Sequence, residues 1–327
     1  MSSGIVIPRA TSTALFDIIE FMTIDSHVHL ITAEMIKALT ARLNRVRPGL
    51  LDRVNHMGKK LINPGFISFL KTMSVKKLAA MWEAEMKKNR IDHACFLPIG
   101  GAADDQMAEF VSYNPSKFSS YMFLDNPPAK ASVTKLRKLA KSAGFVGIKL
   151  YPSLQMISIA DKKLFPLYEA AGELGIPILI HFGITHAPHV DYRYTNPLDL
   201  QLPSKTFPGT DFIIAHFGAG FFREILLLGF HAENIYIDTS GTNNWREYLP
   251  EVMPLAKIFK RTIEVYGAER ILYGTDTAIN DKTGYRTFVL KEQTKALTRL
   301  KIPAKDRKLI MGGNALKLFR LKSRLGA

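Results

Sequence analysis

The sequence predicts an α/β protein, a closed (β/α)8 barrel, on three observations. Eight short apolar runs recur along the 327 residues, helix-like amphipathic stretches lie between them, and no Gly-x-Gly-x-x-Gly follows the first run. Near-continuous apolar strands divided by helices belong to a parallel sheet covered by those helices. Eight such units close into a barrel. The alternative, a doubly wound open sheet, lacks its glycine signature here.

The elements follow in chain order. Residues 1–22 form a lead-in without strong periodicity, and 23–327 form the barrel. The first strand is Thr23–Leu30, TIDSHVHL. Residues 31–90 break the rhythm: they are too long for one crossover, rich in Lys, Arg and Met, and helical in character. They read as a mainly helical insertion after strand 1, over the C-terminal face of the barrel. Strands 2 to 4 are Ala94–Pro98, Ser119–Leu124 and Val146–Tyr151. Strands 5 to 8 are Ile178–Phe182, Phe212–Phe217, Ile235–Asp238 and Ile271–Thr275. The stretches Ala131–Ala143, Lys163–Leu174 and Pro254–Tyr266 are amphipathic, and Gly144, Gly175 and Gly267 follow them as helix-ending glycines do. Gly183–Thr210, with Pro188, Pro197, Pro203 and Pro208, is a loop by composition.

Composition narrows the classes. A chain 47% hydrophobic is long enough for one large barrel domain. A single cysteine, Cys95, excludes an internal disulfide. With no signal-peptide pattern, it points to a reducing cytoplasm. No apolar run reaches the roughly 20 residues that span a bilayer. The net charge of +15 fits a basic solvated surface, an anionic substrate or a polyanion. The excess is uneven: residues 31–90 hold thirteen Lys or Arg against four Asp or Glu.

His27 and His29 stand two apart on a strand, so their imidazoles share a face and offer a divalent ion two nitrogens. His-x-His alone is weak evidence. Here His181 (PILIHFG), His216 (FIIAHFG) and Asp276 (ILYGTDTA) each close a later apolar run. In a barrel the C-terminal strand ends converge at one mouth. His27, His29, His181 and Asp276 then form a mixed nitrogen and oxygen set suited first to zinc, and also to manganese, iron or cobalt. His216 stands beside it as general base or acid, and Asp276 shares that role. Lys149 and Arg193 are candidates to bind the carboxylate of a substrate, with Arg286 a third.

These motifs resemble the amidohydrolase superfamily, in the branch of aminocarboxymuconate-semialdehyde and γ-resorcylate decarboxylases. The matching text is DSHVHL, GFVGIKLYPS, PLYEAAGELGIPILIHFG, FIIAHFGAG, NIYIDTSG, GAERILYGTDTA and IMGGNALKLFRL. It runs from about Thr23 to Leu321, with 31–90 least covered. The resemblance implies a TIM barrel and one divalent metal on His27, His29, His181 and Asp276. It implies His216 as the acid–base residue, a small carboxylate as substrate, and a homodimer. Two features set the chain apart. Thr277 and Ala278 follow Asp276 where the family often has a Pro-containing turn. Lys149 ends strand 4, where binuclear members carry a metal-bridging carboxylated lysine; here a substrate-binding or structural role is the expectation.

Bland readings apply elsewhere. His56, His93 and His231 lack such context. His186 and His189 lie in the long loop and are candidates for substrate contact. Asp25 reads as a hydrogen-bonding neighbour of the site, Asp238 as a mouth-lining or helix-capping residue, and Met81, Trp82 and Met86 as packing. Cys95 reads as a buried thiol. The leading expectation is a metal-dependent hydrolase or decarboxylase acting on a small organic acid. A TatD-like nuclease shares the opening His-x-His, but that family ends strand 4 with Glu where this chain has Lys149. A non-catalytic barrel that binds a polyanion through its basic insertion is the third reading.

Overall fold

The computed structural model describes residues 22–46, 48–49, 64–100, 103–142, 144–185, 190–241, 243–280 and 282–324. The lead-in up to residue 21, and His56, His186 and His189, lie outside them. Eight parallel strands follow one another around the sheet in sequence order. They are β1 (Ile24–Leu30), β2 (His93–Pro98), β3 (Phe118–Phe123), β4 (Phe145–Leu150), β5 (Ile178–Ile180), β6 (Phe212–Ile214), β7 (Ile235–Asp238) and β8 (Ile271–Leu272). All eight lie within two residues of the sequence expectation at their N-terminal ends. β5, β6 and β8 stop two to three residues sooner at their C-terminal ends. The backbone there leaves the ladder to present side chains at the mouth.

Between β1 and β2 come the helices Ala33–Val46, Pro64–Lys71 and Val75–Asn89. The last is the crossover itself. Ser74 caps it by accepting the Lys77 N–H at 3.2 Å, and left-handed Arg90 ends it. Its Trp82 meets the Phe96 ring edge-on, and Phe96 in turn packs on Phe110 and Phe118. Trp82 and Met86 are buried packing residues, as the sequence predicts. Helix Ala33–Val46 is tied to the β3 side by Arg42, which donates to Asp125 at 2.9 Å.

Alternation along the strands divides the core. One set packs under the helices. A second set, including Cys95, Leu97, Tyr121, Leu179, Ile213 and Leu272, packs with Leu316 and Phe319 of the C-terminal segment. Cys95 is fully buried.

Closure is the delicate part. β8 contributes two residues of regular strand, so the chain beyond it completes the ring. Ser26 donates its N–H to Tyr273 O at 2.9 Å, Asp276 to His27 O at 2.8 Å and His29 to Thr277 O at 2.7 Å. Asp25 is buried in this seam. Its carboxylate accepts the N–H groups of His27 and Thr275 at 3.1 Å each, the Thr275 hydroxyl at 2.5 Å and the Tyr285 hydroxyl at 2.6 Å. Burial nevertheless raises its pKa to about 7, against the pull of those donors.

The sign of the consequence is fixed. A carboxyl of ordinary pKa 3.8 unfolded and about 7 folded stays protonated in the fold while the unfolded chain ionises. Its contribution is therefore present below about pH 4 and is lost as pH climbs toward 7. In urea unfolding, wild type should lose roughly 2–3 kcal/mol relative to Asp25→Asn between pH 5 and 8. A wild type that gains on the variant over that interval contradicts the assignment.

Candidate active site

The mouth is assembled from six strand ends. β1 supplies His27 and His29, and β4 supplies Lys149. His181 follows β5, His216 follows β6, Asp238 ends β7 with Ser240 two residues on, and Asp276 lies beyond β8. His29, Lys149, His181, His216 and Asp276 line one cavity of about 330 Å³, whose apolar wall includes Leu39, Pro98, Ile99, Phe123 and Leu154. Leu39 comes from helix Ala33–Val46, so the segment after β1 forms part of this wall.

The distances are short. Asp276 Oδ1 lies 3.0 Å from His29 Nε2 and 3.6 Å from His27 Nε2. Its Oδ2 accepts from Arg286 Nη1 at 3.1 Å. His216 Nε2 and His181 Nδ1 are 3.2 Å apart, and the His27 and His216 ring centroids 4.8 Å. Tyr151 stacks on His181 with centroids 4.1 Å apart and donates its hydroxyl to Thr185 Oγ1 at 2.6 Å. Asp238 holds His27 Nδ1 at 2.5 Å. Ser240 Oγ sits 2.9 Å from Asp238 Oδ2, 2.8 Å from His216 Nδ1 and 3.1 Å from His27 Nδ1.

Two of these residues stand on strained backbone. His216 has φ of 57° and Asp276 of 58°. Non-glycine residues adopt this region at a cost and persist there when their surroundings enforce it. Phe217, Gly218, Ala219 and Gly220 also have positive φ, so the chain after β6 coils left-handed for five residues. This turn carries His216 over the mouth. Gly183, itself at φ +83°, permits it: a Cβ there would lie 2.3 Å from Ala219 O and 2.4 Å from Gly218 O.

Burial dominates the electrostatics of the site. Burial lowers His27 and His181 well below the usual imidazole value and brings His216 down to about 4, so all three are neutral at pH 7. Burial also lowers Lys149 to about 8, against the pull of Asp238 and Asp276. The Lys149 Nζ, His27 Nε2 and His181 Nε2 atoms are buried without a hydrogen-bond partner. Buried polar atoms rarely go unmet, and unpaired ones call for a ligand.

That accounting tests the fit of a metal. His27, His216 and Asp276 each offer an atom within 4.8 Å of the others. Yet both His216 nitrogens already have partners, Ser240 and His181, while the Nε2 atoms of His27 and His181 have none. Two unpartnered imidazole nitrogens, His29 Nε2 and a carboxylate have the chemistry a divalent cation takes, although His29 and His181 stand outside the group whose ligand atoms lie within 4.8 Å of one another. The second reading, with His216 as ligand, would sacrifice its hydrogen bond to His181.

Of the residues expected from the sequence, His27, His29, His181, His216, Asp276 and Lys149 come together. Arg193 does not. Its side chain is 80% exposed and its guanidinium grips Asp191 at 2.6 Å, outside the cavity lining. Arg286 reaches the centre in its place, through Asp276. His93 is buried on Ser116 O and Ser119 Oγ, and His231 is exposed, as the bland readings had them. Asp25 is the hydrogen-bonded neighbour expected, and Asp238 bonds His27 rather than capping a helix. Sequence reasoning missed Ser240, Tyr151 and Thr185. Ser240 carried a signal: two residues beyond Asp238, it shares its face.

Comparison with known proteins places the chain. The family model described as amidohydrolase matches residues 24–321. A 2-keto-4-carboxy-3-hexenedioate hydratase of Sphingobium sp. is 24% identical over 272 residues, 72% of this chain and 76% of the relative. A 2-amino-3-carboxymuconate-6-semialdehyde decarboxylase of Dictyostelium discoideum is 24% identical over 206 residues, 55% of this chain and 56% of the relative. Among solved structures, a 5-carboxyvanillate decarboxylase of Novosphingobium aromaticivorans with bound manganese superposes with a TM-score of 0.67 at 16% identity, covering 92% of this chain and 97% of that one. This last likeness is one of fold.

The left-handed turn gives a direct test. Gly183→Ala should lower the melting temperature by roughly 4–5 °C, the equivalent of about 3 kcal/mol. Gly209→Ala, where a Cβ meets nothing within 4 Å, should leave it unchanged. Equal melting temperatures for the two variants would refute the close approach.

Proposed function

The chain belongs to the amidohydrolase family, and from that premise we propose that it is a metal-dependent enzyme that decarboxylates a small carboxylic acid. The observation that carries this reading is the cavity itself. It joins bare nitrogens and a carboxylate suited to one divalent ion with an unpaired buried amine and an apolar wall. His27, His29, His181 and Asp276 would hold the ion, zinc or manganese, which when bound supplies Lewis-acid polarisation of a substrate oxygen. Manganese is the ion of the decarboxylase neighbour.

The protein's own groups do the rest. Lys149, whose buried amine has no hydrogen-bond partner, pairs with the substrate carboxylate. Leu39, Phe123 and Leu154 keep water off the reacting carbon, which strengthens each polar contact in the cavity. His216, neutral at pH 7, would take a proton at Nε2 from a substrate hydroxyl or a water and return it to the carbon as the C–C bond to the departing CO₂ breaks. Arg286 braces Asp276 by donating to its Oδ2. Tyr151 holds the His181 ring by stacking. Water addition, with His216 as base, is the second reading, favoured by the likeness to a hydratase. A cytoplasmic location is part of the proposal and rests on the single cysteine alone.

Elemental analysis of protein purified without added metal should find about one equivalent of a divalent ion. His181→Ala and Asp276→Ala should lose most of it, whereas His216→Asn should keep the ion. With metal restored, CO₂ release from hydroxybenzoates should drop by 10²-fold or more in His216→Asn. Lys149→Met should act mainly on KM. Full metal retention in both His181→Ala and Asp276→Ala would sink the reading. Hydrolysis or hydration without CO₂ release would transfer it to the second one.

A further inference from the structure

The Ser240 hydroxyl has one proton and three partners. Asp238 Oδ2 lies at 2.9 Å, His216 Nδ1 at 2.8 Å and His27 Nδ1 at 3.1 Å. All four groups are buried. Water therefore does not choose among the possible proton positions. The hydrogen-bonding capacity of each group does.

Asp238 as a carboxylate only accepts, and its Oδ1 already takes the Ser240 N–H at 2.7 Å. His27 stands 2.5 Å from Oδ2, so His27 carries its proton on Nδ1 and leaves Nε2 bare, the buried atom that has no partner. At the other end, His181 Nε2 is likewise bare and buried. With that nitrogen reserved for the ion, as the proposed function has it, its proton is on Nδ1, where it donates to His216 Nε2 across 3.2 Å. His216 must therefore be unprotonated at Nε2 and protonated at Nδ1. That Nδ1–H points at Ser240 Oγ, which accepts it and turns its own proton to Asp238 Oδ2. Every donor meets one acceptor in this arrangement. The reverse tautomer of His216 would aim an N–H at His181 and require a proton on His181 Nε2, which would block that atom from binding a cation.

We propose that Ser240 is the positioning residue of this site: its hydroxyl fixes His216 as the Nδ1–H tautomer and links it to the Asp238 carboxylate that also orients His27. The proposal rests on the reading of His216 as the proton-exchanging group. It adds the part that makes one nitrogen, Nε2, the reactive one. When Nε2 takes a proton, the 3.2 Å contact with His181 is the bond replaced, and the new imidazolium keeps its Nδ1–H on Ser240. Its charge is then steadied by Asp238 through one hydroxyl. The same carboxylate thus serves a candidate metal ligand and the acid–base residue.

The test reads the tautomer directly. Ring ¹⁵N shifts of selectively labelled histidine, in the full-length protein both metal-free and zinc-loaded, distinguish Nδ1–H from Nε2–H. Wild type should show His216 protonated at Nδ1. Ser240→Ala, which keeps the Ser240 backbone N–H and the His27–Asp238 bond, should turn His216 into a mixture or into the Nε2–H form. It should lower kcat by about tenfold to a hundredfold with little change in KM. Metal affinity, measured by chelator competition, should stay within about threefold of wild type, because His27 retains Asp238. Ser240→Thr, which restores a hydroxyl, should recover the tautomer and most of kcat. Wild-type His216 protonated at Nε2, or an unchanged tautomer in Ser240→Ala, would overturn the proposal. If the tautomer shifts as expected while His216→Asn remains active, the positioning role stands and the catalytic reading of His216 falls.

Discussion

The contact on which the rest depends is the 2.8 Å hydrogen bond from the Asp276 N–H to His27 O. It is a barrel-closing bond, and it also sets the separation of two candidate ligands. Regular pairing ends at Leu272, so the ring is completed by a few irregular bonds and by side chains. Asp25 takes four donors there, two of them from Thr275, the residue before Asp276. Thr277, the residue after it, bonds the Thr275 hydroxyl at 2.7 Å and accepts the Arg286 N–H at 3.2 Å. Asp276 is thereby held from both sides in a left-handed conformation. A full β8 ladder would close the barrel as well, but it would direct residue 276 along the strand rather than back over His29.

Burial connects the geometry to the chemistry. It lowers three histidines and Lys149, while His29 and Asp276 at the cavity side stay about a quarter exposed. Neutral imidazoles offer lone pairs, and lone pairs are what a cation or a substrate proton needs. In such surroundings the hydrogen-bond partner of one ring nitrogen decides what the other can do. Asp238 decides it for His27, and Ser240 for His216.

How much of this was legible in the sequence follows from period and sign. Period two brings His27 and His29 to one face, and it would have brought Ser240 beside Asp238 had the rule been applied past the strand end. Apolar runs locate all eight strands because interior and helix-facing positions are both buried, so the runs hardly alternate. Conformation was not legible. Nothing in AHFGAG beyond its two glycines announces five left-handed residues, and their turn depends on Gly183, more than thirty positions earlier. The arginines were opaque for a different reason. Arg193 and Arg286 carry the same charge, and only tertiary partners separate them: Asp191 spends the first on the surface, whereas Asp276 draws the second inward.

The unpaired atoms supply the last step. A buried polar atom left without a partner costs about 1–3 kcal/mol, and more when charged. Here Lys149 Nζ, His27 Nε2, His29 Nδ1 and His181 Nε2 share this condition within one mouth. Among the described residues three other buried atoms, Ser153 Oγ, Asn243 Oδ1 and Trp245 Nε1, are unpartnered too, but the titratable ones are those of the mouth, whereas the Asn234 amide alone serves three carbonyls and His93 has a partner on each ring nitrogen. A fold that satisfies its remote histidine and leaves those at the mouth open has concentrated its frustration where the strained φ angles also lie. Local rules tend to break at functional sites, because the missing partners arrive with the ligand. Stability and function are then opposed at the same atoms, and the ligand reconciles them: whatever binds those nitrogens and that amine also stabilises the folded state.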